Sequence, residues 1–144
     1  CIRDSINIAA RGAGMAKGAT NMALHYAMDR KTFGKAIAEH QAIQLKLAEM
    51  STRAAAAELL VHQAADKFDR HERCDLEAGQ AKFFASEAAV QNSLDAMRVF
   101  GGYSYSPEYE IERFYRDAPL LCIGEGTNEI QRMIIAKQMV ARAS

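Results

Sequence analysis

Between Ile43 and Phe68 the chain reads IQLKLAEMSTRAAAAELLVHQAADKF, in which Ile43, Leu47, Met50, Ala54, Ala57, Val61, Ala64 and Phe68 follow one another in alternating steps of four and three. All are apolar. A period near 3.5 places them on one helical stripe, whereas a strand would scatter them over both of its faces. The same reading extends outward. The first segment carries Ile8, Gly12, Met15, Ala19, Met22 and Tyr26; the third Phe83, Val90, Leu94 and Met97 with alanines between; the fourth Ile130, Met133, Ile134, Ala136 and Val140. Alanine, the best helix former, crowds every segment. The pattern predicts helices over 2–29, 38–70, 75–100 and 127–143. Stripes of this period pack at about 20°, so the fold class expected is all-α, an antiparallel up-down four-helix bundle. Gly12, Gly14, Gly18 and the alanines of 54–57 allow close approach of helix axes. All the Met and Ala stripes are assigned to the core.

A length of 144 residues suits one domain, 1–144, with enough chain for a proper core. Lys plus Arg and Asp plus Glu are 18 each, so no basic excess exists to neutralise phosphates, and nucleic acid is not an expected partner. No stretch is apolar enough for a membrane span. Cys1, Cys74 and Cys122 are odd in number and widely spaced, which fits a reducing compartment better than a disulfide framework or a zinc site. The four histidines are scattered without ligand spacing, so no metal is expected. The chain starts at Cys1, and it is expected to be a piece of a longer protein.

The connections carry the chemistry. The first, Arg30-Lys31-Thr32-Phe33-Gly34-Lys35, is basic and holds an aromatic, and His40-Gln41 lies close behind it. Arg, an aromatic and an amide suit a dinucleotide's pyrophosphate and adenine; they equally suit a surface corner with a buried Phe. The second, 69–75, reads as a solvated turn with Asp75 as N-cap. The third, Gly101 to Gly126, is long enough to suggest function, and a short helix is expected inside it with Ser106 as cap, Pro107 in the first turn and Glu108 near its positive end. Gly101-Gly102 reads as a helix C-cap or as backbone open to a phosphate or purine. In Gly124-Glu125-Gly126-Thr127, two glycines strip side chains from both sides of a carboxylate, and Thr127 is placed to cap the next helix. Glu125 is then either an exposed turn residue or a carboxylate that a flat ligand can approach.

Taken in order, Ile8–Ala16, Tyr26–Lys35, His40–Gln44, Leu47–Met50, Phe100–Tyr103, Glu112–Ala118 and Glu125–Arg132 resemble the C-terminal helical domain of the acyl-CoA dehydrogenases, which are flavoproteins. The resemblance covers essentially the whole chain. It implies a four-helix bundle, FAD as cofactor and an acyl-CoA substrate. It implies that Glu125 is the catalytic base, removing the pro-R α-proton of the thioester while the β-hydrogen leaves as hydride, giving a trans-2-enoyl-CoA. A carboxylate does this best in a dry site, where desolvation raises its proton affinity. The thioester oxygen would be held by the backbone N–H of the base residue and by the flavin ribityl chain.

The resemblance also implies that Thr127 and Glu129 contact FAD near the base, and that Arg30, Thr32, Phe33, His40 and Gln41 hold the FAD of a neighbouring subunit. Gly101 and Gly102 would meet its adenosine side. Arg98 stands where the family often has Gln at that contact. Gly124 and Gly126 would border the substrate; many members carry Tyr at the first of these, so Gly124 is expected to open the acyl pocket to branched or cyclic chains. Some members place the base on the first helix, near Asp4, with a substrate-contacting Arg where this chain has Ser5. With Glu125 present, Asp4 is expected to be a bystander. The implied assembly is a homodimer or homotetramer sharing FAD sites, with an electron-transferring flavoprotein as acceptor. The location would be cytoplasmic in a bacterium and the mitochondrial matrix in a eukaryote. An N-terminal helical domain and a middle β-domain would complete the enzyme. Two rivals are a related flavoenzyme acting on another carbon acid, such as a nitroalkane oxidase, which usually has Asp at the base position, and a non-catalytic helical assembly module. The mechanism further expects Glu125 to lie dry and beside the cleft lined by the arginine and glycine corners.

Overall fold

The computed structural model describes residues 1–143, and the first three long helices form as their stripes require. Helix α1, Ile2–Asp29, buries Ile8, Ala9, Gly12, Ala13, Ala16, Ala19, Ala23 and Ala27 along one side. It ends at Arg30, whose backbone turns extended. A hairpin follows, β1 Lys31–Thr32 pairing antiparallel with β2 Lys35–Ala36. Its two-residue turn puts both Phe33 and Gly34 at positive φ, 52° and 82°, the handedness that matches strand twist. One short 3-10 turn, Ile37–Glu39, precedes α2, Gln41–Asp69. Helix α2 therefore starts later than position 38, because His40 is extended and interrupts the run.

Helix α3, Asp75–Phe100, is the axis of the molecule and touches every other α-helix. It is buried nearly all round, and small residues make that possible: Ala78, Gly79, Ala81, Ala85, Ser86, Ala88, Ala89, Ser93 and Ala96. A Cβ placed on Gly12 of α1 would lie 2.7 Å from the backbone carbonyl of Ala85, so α1 and α3 meet almost backbone to backbone. Asp75 does not cap α3. Cys74 holds that position without a side-chain bond, and the Asp75 carboxylate instead accepts from Arg73 at 2.9 Å.

The third connection departs most from expectation. Gly101 ends α3 as its C-cap at φ 64°, its N–H donating to the Met97 carbonyl; a short 3-10 helix covers Gly101–Tyr105, and a full helix α4 then spans Ile111–Ile123. The helix starts at 111 and not at Pro107; Ser106 serves only a local turn, its hydroxyl accepting from the Glu108 N–H at 3.3 Å. Ile111 joins the core cluster of Met97 and Phe100, and Phe114 reaches Gly18. Helix α5, Asn128–Ala143, follows, so α4 and α5 together descend α3 antiparallel and complete the fourth side of the bundle.

The stripe assigned to the core in α5 faces the other way. Asn128, Gln131 and Gln138 are buried, while Ile130 is 50% and Met133 72% exposed. The reason lies in α3, whose first half offers Glu77, Lys82 and Ser86 toward α5 and draws amide and guanidinium partners. Among the described residues no helix is long and apolar enough to cross a membrane.

Candidate functional site

Two of the cavities gather most of the predicted site residues, and they lie at opposite ends of the bundle. The first, about 690 Å³, is lined by Tyr26 and Arg30 of α1, by Thr32, Phe33, Ile37 and His40 of the hairpin corner, and by Val99 to Tyr103 at the end of α3. Of the residues predicted from sequence, Arg30, Thr32, Phe33, His40, Gly101 and Gly102 are brought together here. Arg30 lies over the Tyr103 ring at 5.6 Å from its centroid. Thr32 Oγ1 and His40 Nε2 are 3.1 Å apart, which fixes the hairpin on the start of α2. No atom stands within 4 Å of a Cβ built on Gly101 or Gly102, so the backbone there is open to a ligand.

Phe33 is 98% exposed, and its neighbour across the corner is the His40 ring, edge-on at 6.2 Å. A non-glycine residue at φ 52° is held there at a cost of about 1–2 kcal/mol. The alternative of a surface corner with a buried Phe is therefore wrong. The turn spends strain to hold an aromatic outward, where packing in this chain gives nothing back.

Two predicted members fall outside this corner. Gln41 is exposed on the first turn of α2 and is not on the cavity wall. Arg98 points away: it pairs with Asp95 at 3.3 Å and lines a separate hollow with Leu94, Ser104 and Tyr115. Sequence reasoning missed Tyr26, Ile37 and Tyr103 on the wall. Tyr26 was detectable, since it lies four residues before Arg30 on the same helical face.

The second cavity, about 460 Å³, contains Glu125 and Gly126 with Ile2 and Ser5 of α1, Asp75, Ala78 and Gly79 of α3, and Ile130, Gln131 and Ile134 of α5. Glu125 occupies the short link between α4 and α5 at φ 55°, followed by Gly126 at φ 89°. Thr127 caps α5 as expected, its hydroxyl accepting from the Ile130 N–H at 3.4 Å. Thr127 and Glu129 flank this cavity without lining it. The Glu129 carboxyl is held below the usual range, first by its own backbone N–H and then by Thr127. Gly124 is also off the wall; it closes α4, its N–H donating to the Leu120 carbonyl at 2.8 Å. Asp4 is not on the wall of this cavity, whereas Ser5 lies inside it.

Glu125 is exposed, not dry, and it is remote from the arginine and glycine corner. Ser5 in one cavity and Tyr26 in the other are separated by about 30 Å of α1 at 1.5 Å per residue. The expectation that Glu125 and its own chain's corner share a cleft is thus corrected. The two features of one chain cannot face one reacting centre. The physical reason is the length of α1 and α3, each of which runs from one cavity to the other.

The family profile described as acyl-CoA dehydrogenase, C-terminal domain, matches residues 4–140. An acyl-CoA dehydrogenase of Bacillus subtilis is 50% identical over 135 residues, which is 94% of this chain and 36% of that protein. A 3-(aryl)acrylate reductase of Clostridium sporogenes is 48% identical with the same coverage. The structure of butyryl-CoA dehydrogenase from Megasphaera elsdenii superposes with a TM-score of 0.93 at 38% identity, covering 94% of this chain and 36% of that one. The chain spans about a third of the length of these relatives, and the part it matches is the helical bundle. The chain belongs to the acyl-CoA dehydrogenase family, to the C-terminal domain of that fold.

Proposed function

We propose that this bundle forms part of an FAD-dependent acyl-CoA dehydrogenase in which Glu125 is the catalytic base. One observation carries the reading: of the two carboxylates in the second cavity, Asp75 is occupied by Arg73, while Glu125 makes no ion pair or side-chain hydrogen bond among the described residues. A general base needs a free lone pair at the cavity wall, and Glu125 has one. Exposure in this chain is consistent with a wall completed by the rest of the enzyme and by the substrate.

The residues at the corner fit FAD. Arg30 supplies a cation for a pyrophosphate, Tyr103 and Phe33 supply faces for a flat ring, and the open Gly101-Gly102 backbone admits close approach. When bound, FAD supplies the hydride acceptor. Because Glu125 and the corner of one chain lie at opposite ends, the corner serves the flavin of a second copy, and Phe33 is the part of the corner that reaches it. This division supports a homodimer, or dimers paired into a homotetramer, as the assembly.

Glu125 takes the α-proton of the acyl-CoA onto a carboxylate oxygen. Glu125 sits on the cavity wall in a left-handed turn, and Gly126 beside it carries no side chain to crowd the carboxylate. The β-hydrogen departs as hydride, leaving a trans-2-enoyl-CoA. Run backward, the same two transfers saturate an enoyl thioester, a direction suggested by the Clostridium relative's name as a reductase. Gly124 is proposed to admit branched or cyclic acyl chains. A larger residue there would first press the Leu120 carbonyl, 3.3 Å from a built Cβ. An electron-transferring flavoprotein is the proposed acceptor, in bacterial cytoplasm or the mitochondrial matrix.

The test uses the complete enzyme. Glu125→Gln retains FAD but is not bleached by acyl-CoA under anaerobic conditions; near-normal bleaching would show that the base is elsewhere. The 144-residue chain alone retains little flavin. Stoichiometric yellow colour in that purified chain would contradict the need for further domains.

A further inference from the structure

Lys82 is the largest side chain in the fully buried set, with 0% exposure, on a helix whose buried positions are mostly small residues. Its ammonium donates to two acceptors, the Cys122 carbonyl at 3.2 Å and Asn128 Oδ1 at 2.9 Å. Cys122 lies in the last turn of α4, and Asn128 is the first residue of α5. The two therefore bracket the link 123–127 that carries Glu125. Asn128 is itself fully bonded, its Nδ2 donating to Ser86 Oγ at 3.0 Å and to Glu87 Oε1 at 2.8 Å. The Ser86 hydroxyl donates to the Lys82 carbonyl at 2.8 Å, which closes the cluster onto α3.

Burying an ammonium is expensive unless it is bonded, and a methionine of similar length would fill the space without that cost. Burial indeed lowers the proton affinity of Lys82, against the opposing pull of the groups near Cys122, Glu129 and Glu87. What the ammonium supplies that a thioether cannot is direction. It holds a helix C-terminal carbonyl, where a cation is favoured, and a helix N-terminal amide at a fixed separation. The link between them contains Glu125 in the left-handed region, a conformation that persists only where its flanks over-determine it.

We propose that Lys82 is a positioning residue for Glu125, with Asn128 as its second jaw: their clamp on both ends of the 123–127 link sets the backbone that presents the carboxylate. This rests on the reading of Glu125 as the base. It predicts that loosening the clamp slows proton removal without weakening substrate or flavin binding, since a displacement near 1 Å at a reacting group can cost about 100-fold.

The experiment uses the complete, flavin-loaded enzyme and anaerobic flavin reduction by butyryl-CoA, or by the fastest member of an acyl-CoA panel. Lys82→Met is expected to lower the limiting reduction rate about ten- to hundredfold, with flavin content unchanged and substrate affinity within about twofold. Asn128→Ala, which leaves Lys82 its Cys122 acceptor, is expected to show a smaller fall in the same direction. Should Lys82→Met fail to fold, Asn128→Ala decides alone. A limiting rate within twofold of the parent in the folded variants overturns the proposal. So does a fall that tracks loss of flavin or of thermal midpoint, which would mark a merely structural role. Glu125→Gln is run alongside: if that variant reduces normally, the assignment of the base has failed and not the clamp alone.

Discussion

Arg142, in the last turn of α5, holds Glu77 of α3 with two guanidinium nitrogens, 2.7 and 3.0 Å from its two carboxylate oxygens. Lys67 of α2 donates to the same carboxylate at 2.6 Å. Three helices are thereby tied at one buried anion. The Arg142 hydrogen bonds, helped by Lys67, pull the Glu77 carboxyl from 4.5 down to about 2. A carboxyl depressed on folding stabilises the native state above its unfolded value and loses that contribution as pH falls toward the folded one. Glu77→Gln should therefore cost about 1–3 kcal/mol at neutral pH. The gap between variant and parent in urea midpoint should close between pH 4.5 and about 2. A gap that stays constant through this window would remove the ion cluster as its cause.

Asn92 is a second tie, fully buried where α1, α2 and α3 meet. Its amide nitrogen donates to the Met50 carbonyl at 2.8 Å, to Thr20 Oγ1 at 3.1 Å and to the Ala16 carbonyl at 3.2 Å, and its oxygen accepts from Arg53 at 2.6 Å. Asn92→Leu strands several buried partners at once. The expected loss is about 2–3 kcal/mol in a denaturant titration, despite the gain in apolar volume. A neutral result would mean those groups find water or other partners.

Gly12 and Gly14 make an internally controlled pair. A methyl group on Gly12 would meet the Ala85 backbone at 2.7 Å, and backbone cannot rotate away. Gly12→Ala should destabilise by about 1–3 kcal/mol. Nothing lies within 4 Å of a Cβ on Gly14, which is exposed on the same helix. Gly14→Ala should stabilise by about 0.5–1 kcal/mol through helix propensity alone. Thermal midpoints moving in the same direction would refute the packing argument.

Phe33→Ala should leave the thermal midpoint of the bundle unchanged, because the ring is 98% exposed and buries nothing here. In the complete enzyme the same change should weaken flavin retention, read as the FAD-to-protein absorbance ratio after gel filtration. Full retention of flavin would detach Phe33 from the cofactor.

Apolar spacing made α1 and α2 legible, since each buries a stripe against its neighbours, although Phe68 at the end of the α2 stripe is exposed; α3 was legible from its alanines and is buried nearly all round. It failed for α5, where Asn128, Gln131 and Gln138 face inward because α3 presents polar groups there. Periodicity reports which residues are apolar; it does not report what the facing helix offers. The same blindness hid Lys82, which any composition rule places on the surface. Helix α4 was hidden for a different reason. Its start carries no strong capping residue and Pro119 interrupts its sequence, so the segment reads as loop until Ile111 and Phe114 are seen packed. At the corner, six matched residues converge because a short hairpin and a helix end are local structures. The distance from that corner to Glu125 could not be read from motifs, which carry order along the chain but no length through space.

That distance has an engineering meaning. With α1 and α3 each running unbroken between the two cavities, the bundle works as a ruler whose graduations are helical turns. Removing one residue midway along α3 would shorten it by only about 1.5 Å, yet swing one end through about 100° relative to the other. Excising a whole number of turns from both rods together is the change that would preserve the facing of each end while resetting the gauge between the two cavities.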